Sequence, residues 1–151
     1  EYAARGGVKS QSNTGSHTYD YDYAGSNTIG NVAWYDGNNN ASGNPANGIY
    51  GPKPVAQKLP NELRLYDMTG NVLERCWDRN TQMDYSSTKS IFYASDQPYG
   101  PDTGDYRANR GGSWFNGGSF CYVSMRGFLE YSHRDADDGF RVVANIVPAS
   151  E

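Results

Sequence analysis

The residues with the most chemical potential stand in one fourteen-residue run, LYDMTGNVLERCWD, at 65–78. Two acids, Asp67 and Glu74, bracket Gly70 and Asn71, and Cys76 and Trp77 follow. Carboxylates and backbone carbonyls spaced a few residues apart around a sharp glycine turn form an oxygen-rich set that suits Ca²⁺. A plain turn uses the same residue types. Asp67 and Asn71 would then accept from backbone N–H groups, and Glu74 would pair with an arginine. A second thiol, Cys121, lies far along the chain. Together with Cys76 it leaves three options open: one bridge, two free thiols or a two-thiolate site. Cys76 also reads as a small buried hydrophobe. The two histidines, His17 and His133, sit among polar residues and read as exposed rather than ligating.

These residues must be positioned by a chain of 151 residues, the length of one domain. A domain of this size hides roughly 68–70% of its unfolded surface. Eighteen glycines, thirteen tyrosines and many asparagines point to loops and irregular backbone, because Gly and Asn tolerate positive φ. Hydrophobic residues make up 36% and aromatics 14%, so the core is expected to lean on Trp, Tyr and Phe. The net charge is −4 and no Lys/Arg cluster is present. Nucleic acid is therefore not an expected partner. No apolar run approaches the ~20 residues that span a bilayer.

Residues 1–7, EYAARGG, read as the end of a short helix stopped by Gly6 and Gly7. From 9 to 60 the chain is turn-forming, with apolar islands at 29–34 and 49–50. A loop of that length in a compact domain is often functional. A tight turn and a strand are expected over 63–77, with Val72, Cys76 and Trp77 inward, then loop over 79–105. Strand signals follow at 113–115, 121–128 and 139–145, the last a β-branched run opened by Gly139. The expected fold class is α+β, loop-rich, with small antiparallel sheets.

Four motifs in order, EYAARGG, LYDMTGNVLERCWD, RGGSW and GFRVV, carry a resemblance to the formylglycine-generating-enzyme (sulfatase-modifying-factor) family. It covers residues 1 to about 147 and implies a C-type-lectin-like fold. The family pattern has a substantial segment before EYAARGG. The chain is thus expected to be the C-terminal portion of one such domain, with the N-terminal part cleaved off or in another polypeptide. Calcium-binding members use the side chains at the positions of Asp67 and Glu74 and the carbonyls at those of Gly70 and Val72, which implies a structural Ca²⁺. Oxidase members hold copper between two cysteines after GGS, since two soft thiolates suit Cu(I). Here the second falls on Cys121 and the first on Asn116, a poor Cu(I) ligand, so neither copper nor catalysis is expected. Leu73 and Arg75 also replace the tryptophans of the family's GNVWEW. Another branch uses a three-histidine iron site, which two histidines cannot build.

Between RGGSW and GFRVV lies FNGGSFCYVSMRGFLEYSHRDADD, 115–138, a mixture of aromatic, small polar and acidic residues like that of an antibody paratope. The segment and its frame resemble the variable proteins of diversity-generating retroelements, of the Treponema type, with a variable-region-like stretch at about 110–143. That resemblance implies a bacterial, non-enzymatic, receptor- or adhesin-like protein with an unnamed protein or other macromolecule as its ligand. It implies a place at the cell surface or outside the cell, with a lipid anchor on the absent N-terminal part as one means of attachment. The expected ligand-binding patch comprises Phe115, Gly117, Phe120, Tyr122, Phe128, Tyr131, His133, Asp135 and Asp137, all solvent-facing, with Val123 and Met125 pointing inward. The competing functions are a copper-dependent oxidase of cysteine peptides and a structural accessory member of the family.

Overall fold

A computed structural model describes residues 1–7, 20–39, 49–80 and 101–143. His17 and most of the loop expected at 79–105 lie outside the described residues. The opening segment is a single helical turn. Gly6 N–H donates to the Ala3 carbonyl and Gly7 N–H to that of Tyr2, while Gly6 takes φ 84°. This pair of bonds with a left-handed glycine is the Schellman way of ending a helix. A side chain at Gly6 would meet the Glu62 carboxylate at 2.5 Å.

Among the described residues, helix is otherwise confined to α1, Ile29–Val32, and 3₁₀ turns at Asp36–Asn38 and Gly118–Cys121. Four strands among the described residues form one sheet: β1 Leu73–Asn80, β2 Tyr106–Arg110, β3 Gly127–Glu130 and β4 Asp138–Gly139, in the order β3-β2-β1-β4. β2 pairs antiparallel with both β1 and β3, but β4 lies parallel to β1. The sheet is therefore mixed rather than wholly antiparallel. No helix among the described residues is long and apolar enough to cross a membrane.

Three expected strands come out shorter. Residues 113–115 form a turn, and 121–128 is strand only from Gly127 onward. Of 139–145, only Gly139 belongs to β4, and residues 144 and 145 lie outside the described set. Phe140, Val142 and Val143 are each more than three-quarters exposed. β4 pairs with β1 only at Leu73↔Asp138 and Glu74↔Gly139. β-branched residues form strand by packing against neighbours, not by intrinsic preference alone. Trp77, expected inward, is 77% exposed with the Arg107 guanidinium over its ring. A bulge between Arg75 and Arg79 breaks the alternation of β1 there, and bulges re-aim side chains.

The core also departs from the aromatic expectation. Among the described residues it has two small clusters, Ala4, Ala24 and Val123 against Met68, and Tyr23, Val32 and Cys121 against Ile29 and Tyr35. None of the three tryptophans is buried. Asparagines fill the gap. Asn61 accepts from the N–H groups of Leu63 and Leu65 and donates to the carbonyls of Ala3 and Ala4. Asn39 exchanges two bonds with Gly51, and Asn71 two with Lys53. A carboxamide carries a donor and an acceptor like a peptide group, so these side chains join loops as a strand pair would.

Candidate functional site

The turn at 67–74 comes first. Asp67, Gly70 and Asn71 all take positive φ, at 54°, 73° and 64°. Gly70 N–H donates to the Gly111 carbonyl and Asn71 N–H to that of Trp34, which ties the turn to two other loops. Asp67 Oδ2 accepts from Ala56 N–H at 2.7 Å. Glu74 is gripped by Arg141, whose Nε lies 3.0 Å from both carboxylate oxygens. Arg141 Nη2 also donates to the carbonyls of Tyr66 and Asp67. Glu74 in turn holds the Arg141 guanidinium above its usual pKa. Asp67, Val72 and Glu74 line one shallow hollow with Arg141, while Gly70 lies buried outside it. The donor types suit Ca²⁺, but a cationic guanidinium already holds Glu74, so an ion would have to exchange with it. Among the described residues no three His, Cys, Asp or Glu side chains cluster as a metal site.

The second region is the segment 115–138. Gly111 and Gly112 take φ 90° and 70°. A Cβ on Gly112 would meet Cys121 Sγ at 2.5 Å, so only glycine lets the 118–121 turn settle here. Cys121 is fully buried and free, and burial pushes its thiol pKa up to about 12. Cys76 is also free, half-buried and raised in pKa by burial. Neither thiol is poised as the thiolate that soft metals and nucleophilic chemistry need. Asn116 donates its N–H to the Ser113 carbonyl and accepts from Asp36 N–H. Ser113, also fully buried, donates Oγ–H to Asp137 Oδ2 at 2.6 Å and accepts from Phe115 N–H.

Residues outside the segment hold it through its main chain. Arg110 Nη1 donates to the carbonyls of Val123, Ser124 and Met125, the last at 2.9 Å, and Nη2 pairs with Glu1. Arg75 donates to the carbonyls of Glu130 and His133 and pairs with Asp138 at 2.9 Å. Leu73 N–H donates to the Asp137 carbonyl, Tyr131 N–H to that of Asp105, and Val123 N–H to that of Asp22. The side chains of Val123, Ser124, Glu130 and Tyr131 play no part in these bonds.

What the segment presents is a pocket of about 250 Å³. Leu73, Phe115, Phe120, Met125 and Leu129 give it apolar walls, and Asn109, Arg110, His133, Asp135 and Asp137 bring polar groups. Of the nine patch residues expected, Phe115, Phe120, His133 and Asp135 are exposed and meet at this pocket. Tyr122 is exposed but does not line the pocket, and stacks on Tyr23 at 5.2 Å between centroids. Gly117 is exposed with open space above it. Tyr131 is exposed but lines a different hollow, with Trp77 and Arg107. Two expectations need correcting. Phe128 is 2% exposed, because its place opposite Ala108 in the β2–β3 pair turns it into the core. Asp137 is buried by its bond to Ser113, although it still reaches the pocket. Met125, expected inward, is half-buried in the pocket wall, while Val123 is buried.

Sequence reasoning missed Asn109, Leu129 and the rings of Tyr50 and Trp114 that join Phe115, the three standing 4.7 to 6.4 Å apart. Asn109 and Leu129 are brought to the pocket by strand register, which no local pattern announces. Tyr50 arrives from an island more than sixty residues before Phe115.

Residues 1–146 match the family described as the sulfatase-modifying factor enzyme 1-like domain. A chaperone protein, LppX, of Paenibacillus barcinonensis is 33% identical over 95% of this chain and 45% of its own length. The formylglycine-generating enzyme of Thermomonospora curvata is 36% identical over 65% of this chain and 33% of its own. Among solved structures, Treponema denticola variable protein 1 superposes with a TM-score of 0.64 at 30% identity, covering 92% of this chain and 42% of that one. The chain thus spans less than half the length of each.

Proposed function

Because the chain belongs to the sulfatase-modifying factor enzyme 1-like domain family, we propose that it is a non-enzymatic member, a C-type-lectin-like domain whose 115–138 face binds a protein or other macromolecule. The observation that carries this reading is the way the face is held. Arg110, Arg75, Leu73 and Asp105 bond to carbonyls and N–H groups of the segment rather than to its binding side chains. A surface gripped by its backbone keeps its shape while its side chains change, which a diversified binding face requires. Exposed Phe115 and Phe120 at the pocket, with Tyr122 and with Tyr131 in the neighbouring hollow, supply rigid aromatic area. Single exposed hydrophobics are ordinary, whereas clustered ones mark interaction sites. The likeness to a variable protein at 30% identity supports the same reading.

The oxidase alternative draws on the likeness to a formylglycine-generating enzyme. Against it stand the buried, protonated Cys121 and the carboxamide of Asn116 where a second thiolate would be needed. We place the protein at the cell surface or outside the cell, where a variable receptor meets its ligand. We also propose that the 67–74 turn accepts a structural Ca²⁺ by exchange against Arg141.

The test is selection of binders from a displayed protein-fragment library, followed by a variant with Phe120, Tyr122 and Tyr131 changed to alanine. Selected binders should lose at least a hundredfold in affinity while the melting temperature holds. Binders that ignore the variant, or copper-stimulated oxygen consumption with a cysteine peptide, would overturn the reading.

A further inference from the structure

Three arginines, Arg75, Arg107 and Arg141, line one open hollow of about 640 Å³ with Trp77, Tyr131 and Val143. Two of them are committed. Arg75 pairs with Asp138 and donates to the carbonyls of Glu130 and His133. Arg141 holds Glu74 and the carbonyls of Tyr66 and Asp67. Arg107 differs. Among the described residues its guanidinium donates to the Trp77 carbonyl alone, and it stands 5.1 Å from the centroid of the Trp77 ring. No carboxylate among the described residues lies within ion-pair distance of it. Strand register adds to the imbalance. The β1–β2 pair sets Arg79 directly opposite Arg107, and like charges so placed repel. The nearby acid Asp78 is bonded to Arg126. Burial and then Arg79 hold the Arg107 guanidinium below its usual pKa, against a smaller opposing pull from Asp78. A guanidinium carries several N–H donors in a fixed fork. Arg107 therefore keeps unused donors beside an indole that is 77% exposed.

The walls define what would meet that need. The fork of Arg107 matches a carboxylate, which accepts two parallel bonds. Glu74 stands in the same lining and repels a dianion more than a monoanion, so a carboxylate fits better than a phosphate. Trp77, Tyr131 and Val143 are all largely exposed and bring apolar area to the same hollow. Exposed apolar groups that cluster mark interaction sites. A sugar acid would set its hydroxyls against two rings and a valine, which have few partners for them. A polypeptide carries carboxylate and apolar side chains along one backbone, and the hollow has room for more than one of them.

We propose that this hollow docks an acidic segment of a polypeptide partner, a Glu or Asp carboxylate gripped by Arg107 and a neighbouring apolar side chain laid against Trp77 and Tyr131. Arg107 and Trp77 belong to β2 and β1 and lie outside 115–138, so this goes beyond the binding-face reading and does not rest on it.

The experiment is an NMR titration of the protein with acetyl-Leu-Glu-Leu-amide, and separately with its glutamine and lysine counterparts, inorganic phosphate and the methyl glycoside of N-acetylneuraminic acid. The glutamate peptide should shift the Trp77 indole N–H and bind at least tenfold more tightly than the glutamine peptide. That advantage should shrink as salt is raised, since the site is open to solvent. In Arg107→Gln it should fall below threefold. Should that variant fail to fold, Trp77→Ala serves in its place, with at least a fivefold loss of affinity for the glutamate peptide. Equal binding of the glutamate and glutamine peptides, tighter binding of the lysine peptide, phosphate or the sugar acid, or shifts that map elsewhere would overturn the proposal. Failure here, with library binders still lost in the Phe120, Tyr122 and Tyr131 variant, refutes this inference alone. Success here, with library binders that ignore that variant, refutes the binding-face reading alone.

Discussion

The turn at 67–74 and the face at 115–138 are built on opposite plans. In the turn, side chains do the holding: Asp67, Asn71 and Glu74 each bond to backbone or to Arg141. Replacing any one of them removes a structural bond. On the face, most of the holding is done from outside and onto main chain, by Arg110 and Arg75, and the side chains held are the acids Asp137 and Asp138 at its end. Its exposed side chains carry little of the structure. The contrast teaches how one small domain can combine a fixed frame with a face open to change, since the two jobs fall on different atoms.

The largest effect expected lies beneath the face. The Cys121 pKa of about 12 in the fold, against an ordinary 9, means that the folded state holds its proton more tightly than the unfolded chain. Its contribution to stability is complete below pH 9 and is lost as pH rises from 9 to 12. Three units at about 1.4 kcal/mol each come to on the order of 4 kcal/mol. Urea unfolding across that range should show the loss, and Cys121→Ala should reduce it, leaving the part due to Tyr23, whose phenol burial also pushes up to about 12. An unchanged slope in the variant would mean that the thiol is not sealed under the face.

Arg110→Ala comes next. It removes a charged donor shared by three carbonyls and Glu1, and should cost about 3 kcal/mol. Arg110→Lys should recover little, because a point charge cannot span that set. A cost under about 0.5 kcal/mol would break the distinction between frame and face.

Calcium tests the turn. At a hundredfold excess over its dissociation constant, Ca²⁺ should stabilise the fold by about 2.7 kcal/mol, seen as a rise in melting temperature reversed by a chelator. Glu74→Gln should abolish the rise. No rise in the wild type would leave Arg141 as the sole partner of Glu74. The smallest effect belongs to the face itself. Tyr131→Ala, at a residue 66% exposed, should stay within about 0.5 kcal/mol of wild type. A cost of 2 kcal/mol would make that ring part of the frame.

Much of this was legible in the sequence where the signal is local. EYAARGG announced a helix end because Gly6 and Gly7 can take the left-handed conformation that a Schellman cap demands. The 65–78 run offered two meanings, and the Glu74–Arg141 pair follows the turn meaning that its residue types allowed. Motif order identified the family, since four separated motifs rarely recur together by chance. The exposure of Phe120 and Tyr131 also followed from composition, as small polar neighbours seldom surround a core aromatic.

The rest depended on which strands meet. Trp77 turned outward because a bulge in β1 shifted its register against β2, and Phe128 turned inward because β3 set it opposite Ala108. A slip of one residue exchanges the two faces of a strand, and nothing within either strand fixes the slip. Asn109 and Asp137 came to line one pocket, and Ser113 to bond Asp137, only when β2, the RGGSW turn and the end of the 115–138 segment came together. The sequence by itself determined the family, the glycine-governed turns and the composition of the binding face. Tertiary structure decided that Trp77 faces water and Phe128 does not, and which polar atoms remain without a partner, because strand register and hydrogen-bond satisfaction belong to pairs of distant segments and not to residues.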